Sequence, residues 1–543
     1  MNKIAHYLQD HVTGEVMDSA DARQYFSTDS SILNITPSVV VYPANENDVR
    51  KTARFSWQLA ERGRIIPITS RGSGTDQTGA AIGSGIVIVF PSHLNRIVEF
   101  DGKNGDVVVE PGINYGKLQQ TLHTHNRFLP PYPASIEYST IGGAIANNAA
   151  GEKSVKYGDT RHYVKALRVV LANGEVIETG PLSKRELSRK LGLTTFEGEV
   201  YRAIDALLED SNEILREIGP SVERNTAGYD LSAIKTKKSF DLTPLFVGSQ
   251  GTLGIITEAM LQTEIHNNGT TLVVGYFDDL QNVQEAVIAL RDLSDLPSSI
   301  EMVDDQLINL VNRLNPNLLK NSLTKPYPKY ILFVEFDNAN DRLQKRLAKK
   351  ARKIFEKYAA SHQTETEEDK KAELWKIRQA TSVILRHVEG GSRPLPVIED
   401  GIVPVDRLEE YISGLYKLFE RNHLQISLWG HVGEGNLHVQ PFMDLAQVGD
   451  RQKVFRLMDE YYNMVIELGG STSAGHNDGR LRSPYLEKLY GKDAYELFLK
   501  VKKIFDPHNI LNPGVKTTNN TDSIKDLLRR EYSNNLYNEM PRS

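Results

Sequence analysis

The sequence predicts an α+β protein built in two parts. Residues 38–180 alternate short apolar strands with helical segments, and a strand-and-glycine stretch closes this part near residue 264. The chain then starts afresh at Leu272, with strands and amphipathic helices that suit an antiparallel sheet with helices packed on one face. A length of 543 residues is enough for two or more domains and a large core.

In chain order, Val39–Val41 reads as a strand. Glu46–Arg62 reads as a helix, with Asn45 as its cap and Glu46 and Asp48 in its first turn. Ile65–Ile68 and Ile86–Phe90 are short apolar strands between glycine turns, and Val107–Val109 is another, ending at Pro111-Gly112. Tyr115, Leu118 and Leu122 recur at helical spacing, and Leu167–Leu171 reads as a strand entering a hairpin at Asn173-Gly174. Residues 182–240 read as mainly helical and polar, and Leu245–Val247 is strand-like. In the second part, Leu272–Phe277, Tyr330–Phe336, Gln425–Trp429 and Leu437–Val439 read as strands. Val283, Ala286, Val287 and Leu290 mark one amphipathic helix, and Asp341–Tyr358 and Val454–Leu468 are two more. Residues 359–371 read as a solvated loop. The tail after Lys516 is polar, with one short helix over Asp522–Tyr532.

Composition narrows the function. The net charge of −6 leaves no nucleic-acid footprint. The chain has no cysteine, which excludes disulfides, thiolate zinc sites, iron–sulfur clusters carried by this chain and a cysteine nucleophile. The N-terminus lacks the apolar core of a signal peptide, and no apolar segment approaches the ~18 residues of a membrane span, so the default location is the cytoplasm. Helix Asp341–Tyr358 carries Arg342, Lys345, Arg346, Lys349, Lys350, Arg352, Lys353 and Lys357. That basic face is either a solvated surface or a peripheral contact with an anionic membrane or a partner.

Three glycine clusters stand out: Arg71-Gly72-Ser73-Gly74-Thr75, Thr140-Ile-Gly142-Gly-Ala144, and Gly248-Ser-Gln-Gly251-Thr252-Leu-Gly254. Bare backbone can press its N–H groups against a bulky ligand, and successive N–H groups can cradle a pyrophosphate. The first cluster is neither a dinucleotide fingerprint before a helix nor a Walker loop. Each alone is equally a tight turn; three in one chain suggest one extended ligand held at several points.

Gly430-His431-Val-Gly-Glu-Gly-Asn436-Leu-His438 sets two histidines around a glycine turn, either as metal ligands or as locally bonded turn residues. His476 lies in a second glycine-rich turn. An enzyme that removes hydride from an alcohol needs a base for the hydroxyl proton, and a histidine near neutral pKa suits that task.

The order Arg-Gly-Ser-Gly, Pro-x-Pro-x-Ser, Thr-Ile-Gly-Gly, Asn-Asn-Ala-Ala-Gly, Tyr-Gly-Asp, Gly-Ser-Gln-Gly-Thr-Leu-Gly, with Phe505-Asp-Pro-His-Asn-Ile-Leu-Asn512-Pro-Gly514 near the end, resembles the flavin-binding half of the vanillyl-alcohol oxidase / p-cresol methylhydroxylase (PCMH-type) superfamily. The nearest branch is the FAD-linked D-2-hydroxy acid dehydrogenases, including D-lactate dehydrogenase and the FAD subunit of glycolate oxidase. The resemblance covers roughly residues 35–516. It implies an N-terminal extension (1–34), a PCMH-type two-part FAD-binding domain (35–265), a cap domain with a helix-covered antiparallel, ferredoxin-like sheet (266–480), a return to the FAD domain (481–516) and a polar tail (517–543).

The same resemblance implies an FAD pyrophosphate against Arg71, Gly72, Ser73, Gly74 and Thr75. It sets Pro133, Ser135, Thr140, Gly142, Asn148 and Gly151 along the cofactor, Gly251, Thr252, Gly254 and Ile255 at its adenosine side, and Asn512 near the ring. Relatives with covalent flavin often carry a histidine in the first loop; this chain has Thr75-Asp76 there and no cysteine, so noncovalent FAD is expected. His431 and His438 match the family's metal-binding histidines, for zinc or manganese, and His476 matches its proposed base. The glutamate expected before that base is Gly475 here. A two-histidine site therefore needs an oxygen from Glu434, Glu399, Asp400 or Asp478, and the balance is against a tightly bound metal.

Arg378 matches the arginine that contacts the acid group, with Ser382 one turn on. Some relatives add a lysine where this chain has Ile398, which makes Arg480 and Arg482 candidates for the carboxylate pocket. The implied activity is oxidation of a small 2-hydroxy acid of the D-lactate, glycolate or D-2-hydroxyglutarate type. The external acceptor is a quinone, a cytochrome, an electron-transfer flavoprotein, a separate iron–sulfur subunit or oxygen. The competing readings are oxidation of another alcohol or a sugar, and an FAD subunit of a larger complex.

Overall fold

The computed structural model describes residues 2–216, 219–381 and 391–532. The first part contains two sheets. Strands β1 (Glu15–Met17), β2 (Val39–Tyr42), β3 (Ile68–Arg71) and β4 (Ile86–Val89) form one, in the order β1-β2-β4-β3. β2, β4 and β3 are parallel, and β1 is an antiparallel edge. Ile-Val-Ile-Val of β4 is buried along its whole length, as the apolar core of a parallel sheet requires. The crossover from β2 to β3 is helix Glu46–Ala60, whose Asn45 cap accepts the N–H of Asp48. The late segment around Leu511 returns beside β3, with the N–H of Ile68 bonded to the carbonyl of Ile510 and the N–H of Asn512 to that of Ile68.

The second sheet is antiparallel: β5 (Ile97–Asp101), β6 (Asp106–Val109), β8 (Val164–Val170), β9 (Val176–Glu178) and β10 (Ile255–Gln262), in the order β5-β6-β10-β8-β9. Asn173-Gly174 turns β8 into β9, with Gly174 at φ +85°. A two-stranded ladder pairs β7 (Arg127–Phe128) with β11 (Glu264–Ile265). Leu245–Val247 is not a strand: Thr243–Phe246 is one helical turn, begun by Pro244. A short buried apolar segment does not by itself distinguish the two. Residues 182–240 are helical only as far as Arg216 among the described residues.

In the second part, β12 (Thr271–Phe277), β13 (Ser299–Asp304), β14 (Tyr330–Phe336), β15 (Ser361–Glu365), β17 (Leu428–Gly430) and β18 (His438–Val439) form an antiparallel sheet of order β15-β12-β14-β13-β17-β18. β16 (Arg393–Pro394) pairs with β19 (Phe442–Met443) beside it. Helices cover both faces rather than one. Val273, Phe277, Met302, Val334 and Phe336 pack under Leu280–Arg291 and Asp341–Tyr358. Leu272, Val274, Val303, Ile331 and Phe333 pack against Asp305–Leu314 and Glu368–Gln379. The reason lies in β12 and β14, which are apolar on both sides of the pleat and so must bury both.

The solvated loop expected over 359–371 is instead an edge strand and the start of a helix. Ser361–Glu365 has no apolar alternation to announce it, and its order comes from the ladder to β12. The tail is partly packed: Ile524 and Leu528 are buried, Leu528 bridges to Leu33, and the short helix spans only Asp522–Lys525. All eight basic side chains of Asp341–Tyr358 are exposed.

Candidate active site

One cavity runs from the glycine loops to the histidine cluster. At the first end, β3 delivers the chain into Gly72, Ser73, Gly74 and Thr75, which line the cavity with Pro133, Ser135, Thr140 and Gly251. The loops touch because their glycines are bare. A Cβ on Gly72 would lie 2.3 Å from Thr140 Oγ1, the atom that caps helix Ile141–Asn147 by accepting the N–H of Gly143. Gly74 and Gly251 have φ of +77° and +72°, which glycine adopts without strain.

The other residues expected at the cofactor hold these loops instead of lining the cavity. The Arg71 guanidinium donates to the carbonyls of Ala81 (3.1 Å) and Thr28 (2.9 Å) and lies under Gly74. Gly142 lets Pro111 approach and Gly151 lets the Tyr132 carbonyl approach, while Gly254 packs on Val169. Asn148 donates to Asp159 (2.7 Å), Thr252 donates to the Ser249 carbonyl (2.7 Å), and Ile255 is core. Asn512 ties the first and third loops together, donating to the carbonyls of Ala80 and Gln250, each at 2.8 Å. Asn147 and Gln250 also line the cavity.

At the other end, β17 reaches Gly430, the chain turns through Val432–Glu434, and β18 brings His438 back opposite His431. A Cβ on Gly435, at φ +80°, would lie 2.0 Å from the Val403 carbonyl oxygen, so only glycine makes this turn. The two Nε2 atoms are 3.3 Å apart. Each Nδ1 meets a carboxylate: His431 with Glu301 Oε1 at 2.6 Å, and His438 with Glu399 Oε1 at 2.7 Å. Burial alone would raise the Glu301 carboxyl, but His431 and Arg378 outweigh it and hold it at about 2. Burial lowers His431 to about 4. His431 is therefore neutral, with its proton on Nδ1 toward Glu301 and a lone pair on Nε2. His438 meets Glu399 through its own Nδ1, and its Nε2 faces that of His431.

His476 stacks on His438, ring centroids 5.3 Å apart, with Nδ1 3.3 Å from Glu399 Oε1. Its side chain is 29% exposed, and it lines the cavity. Burial lowers its pKa, against the pull of Asp400 and Glu399, which suits a neutral base. Asp400 fixes the turn that carries it, accepting from Ser473 Oγ (2.6 Å) and from the N–H groups of Ala474 (2.9 Å), Gly475 (3.0 Å) and His476 (2.7 Å). Burial works against the Asp400 charge, but His476, Arg482 and Ser473 hold its pKa well below the carboxylate range.

Of the four carboxylates weighed as oxygen donors, only Glu399 stands against these histidines. Glu434 pairs with Arg224 at 2.9 Å and is pushed by burial to about 7, and Asp478 pairs with Lys516 at 2.6 Å. A Cβ on Gly475 would meet only Ala150, at 3.6 Å or more.

Arg378 lines the cavity, its Nε donating to Glu301 Oε2 at 2.8 Å. Arg480 and Arg482 do not line it. Arg480 donates to the carbonyl oxygens of Gly79 and Pro513, bracing the first loop, and Arg482 donates to Tyr462 Oη and the Asn477 carbonyl. Ser382 lies outside the described residues. No motif announces Arg224, which is 4% exposed, lines the cavity and has no hydrogen-bond partner on Nε among the described residues. Nothing in the spacing of residues 219–240 marks it.

Residues 37–180 match the family model described as FAD binding domain, and residues 266–515 that of FAD linked oxidases, C-terminal domain. The chain is 30% identical over 531 residues to a D-2-hydroxyglutarate dehydrogenase of Escherichia coli, a match covering 95% of this chain and 51% of that protein. It is 28% identical over 501 residues to glycolate oxidase subunit GlcD of Bacillus subtilis, covering 92% of this chain and 93% of that protein. The chain spans about half the length of the D-2-hydroxyglutarate dehydrogenases it matches. Among solved structures, p-cresol methylhydroxylase with substrate bound superposes with a TM-score of 0.68 at 16% identity, covering 95% of this chain and 96% of that one. A 4-ethylphenol oxidase from Gulosibacter chungangensis gives the same score and identity, covering 94% and 96%. These two likenesses establish the PCMH-type fold. The two domain matches then place the chain in its family: it belongs to the FAD-linked oxidases, with the fold of p-cresol methylhydroxylase.

Proposed function

We propose that the protein oxidises the hydroxyl of a small 2-hydroxy acid by hydride transfer to bound, noncovalent FAD and passes the electrons to an external acceptor. The observation that carries this reading is the single cavity, with bare glycine loops at one end and Arg378 with three histidines at the other. The loop end suits a large polar cofactor: Ser70 Oγ and Ser139 Oγ are buried there without a hydrogen-bond partner among the described residues, and both residues line the cavity. Gly72, Ser73, Gly74, Thr75, Thr140 and Gly251 would hold it. Bound FAD supplies the hydride acceptor.

Arg378 binds the acid's carboxylate through the fork left free by Glu301. His476 receives the hydroxyl proton on its ring, Glu399 steadies the resulting charge, and Asp400 keeps the ring in place. The histidine pair also suits a divalent ion such as zinc or manganese. Two nitrogens each about 2.0–2.1 Å from a tetrahedral zinc stand roughly 3.3–3.4 Å apart, and these stand at 3.3 Å. Glu301 would be the outer partner on His431 Nδ1 and Glu399 that on His438 Nδ1, so the oxygen a two-histidine site needs would come from the substrate or water. When bound, the ion would polarise the hydroxyl oxygen.

A second reading keeps the chemistry and assigns it to the FAD subunit of a complex. It is favoured by the match over 93% of a relative named as a subunit. The test of the common chemistry is anaerobic reduction of the purified flavoprotein by a 2-hydroxy acid, compared with His476→Ala. The variant should retain FAD and its reduction should fall by about a thousandfold, the scale of a lost general base. Reduction at an unchanged rate refutes the assignment.

A further inference from the structure

Glu301 sits in the middle of β13, between Ile300 and Met302, and is 0% exposed. A carboxylate in such a strand is costly unless it is paired. Here each oxygen has its own partner, and the two partners come from different elements. Oε2 accepts from Arg378 Nε, on helix Glu368–Gln379, at 2.8 Å, and Oε1 meets His431 Nδ1, at the end of β17, at 2.6 Å. Both partners line the cavity.

Arg378 is thereby clamped at Nε alone, and no described residue accepts from its terminal nitrogens. The guanidinium is planar and rigid, so holding its Nε on Glu301 narrows the directions open to the two outer nitrogens. The same carboxylate fixes which nitrogen of His431 carries the proton. We infer that Glu301 is a positioning residue, which presets the Arg378 fork for the substrate carboxylate and couples that fork to the orientation of His431. This rests on the reading of Arg378 as the carboxylate anchor.

The test is a double-mutant cycle on the FAD-loaded protein, read by equilibrium binding rather than turnover. Pyruvate, glyoxylate and 2-oxoglutarate, the oxo products of the candidate acids, are titrated and the change in flavin absorbance is followed. Glu301→Gln should weaken the tightest of them at least about tenfold, the worth of one charge-assisted hydrogen bond, with FAD content unchanged. On an Arg378→Met background the same change should add less than about threefold. If Glu301→Gln does not fold, Glu301→Asp, one methylene too short to span both partners, runs the same cycle. The inference alone is overturned if Arg378→Met weakens binding while the Glu301 variant does not, or if the two effects add in full. Failure of all three oxo acids to bind the wild type overturns the anchor reading and the inference with it.

Discussion

Asp400→Asn separates the proton-accepting end of the cavity from its carboxylate-binding end. Asp400 is fully buried and takes four hydrogens from the turn Ser473–His476, at 2.6–3.0 Å. Its φ is +68°, a conformation asparagine tolerates, so the substitution adds little backbone strain. All four donors converge on one oxygen, Oδ2, so an asparagine that sets its amide oxygen there keeps the contacts but loses the charge that strengthens them. A bond to a charged acceptor is worth about 1.5–3 kcal/mol and one to a neutral acceptor about 1, so roughly 1 kcal/mol is lost at each. Arg482, 3.9 Å away, loses its counter-charge as well. Allowing for relaxation, a working cost of about 3 kcal/mol falls on the turn that aims His476. If that cost appears in the transition state, flavin reduction slows by about 100-fold. In the proposed function carboxylate binding runs through Arg378, which does not touch Asp400, so KM should move by less than about threefold. Anaerobic stopped-flow absorbance at saturating acid measures the first quantity and its concentration dependence the second. Full-speed reduction by a variant that retains FAD would refute the role of the Asp400-centred turn.

Two further predictions concern stability. Burial raises Asp304 to about 7, although it accepts from the Leu307 N–H and Tyr416 Oη. An acid whose folded pKa is raised contributes stability that is present below about pH 4 and lost as pH rises through about 7. Asp304→Asn should therefore gain on the wild type between pH 5 and pH 8, by an amount bounded on the order of 3 kcal/mol; denaturant midpoints whose difference is the same at both pH values would contradict it. Gly435→Ala forces a Cβ to 2.0 Å from a carbonyl oxygen at positive φ, whereas Gly475→Ala meets nothing closer than 3.6 Å. The first should cost more than about 3 kcal/mol and the second less than about 1; equal melting temperatures for the two variants would show that the His431–His438 turn is not built as described.

The glycine loops and all three histidines were legible in the sequence because each lies in a short, ordered motif. Their functional division was not. Arg71, Asn512 and Arg480 read as ligand contacts, but folding turns their side chains onto backbone carbonyls of the loops, where they act as braces. The carboxylates that orient the histidines were harder still. Glu301 lies 130 residues from His431 and is brought to it by the pairing of β13 with β17, while Glu399, 39 residues from His438, reaches it from the segment after β16. Glu399 was one of four acids weighed, and burial and pairing, not spacing, single it out. In the fold, helices on both cap faces followed from strands apolar on both sides. β15 escaped notice because a polar edge strand owes its order to its neighbour rather than to its own pattern.

The central claim is that one cavity holds FAD against a 2-hydroxy acid. Anaerobic titration of the purified flavoprotein with D-lactate, glycolate and D-2-hydroxyglutarate, with polyols as controls, tests it most directly. At least one of these acids should bleach the flavin while the polyols leave it oxidised. A flavin that dithionite reduces but none of the acids does, or one that the polyols bleach instead, would contradict it.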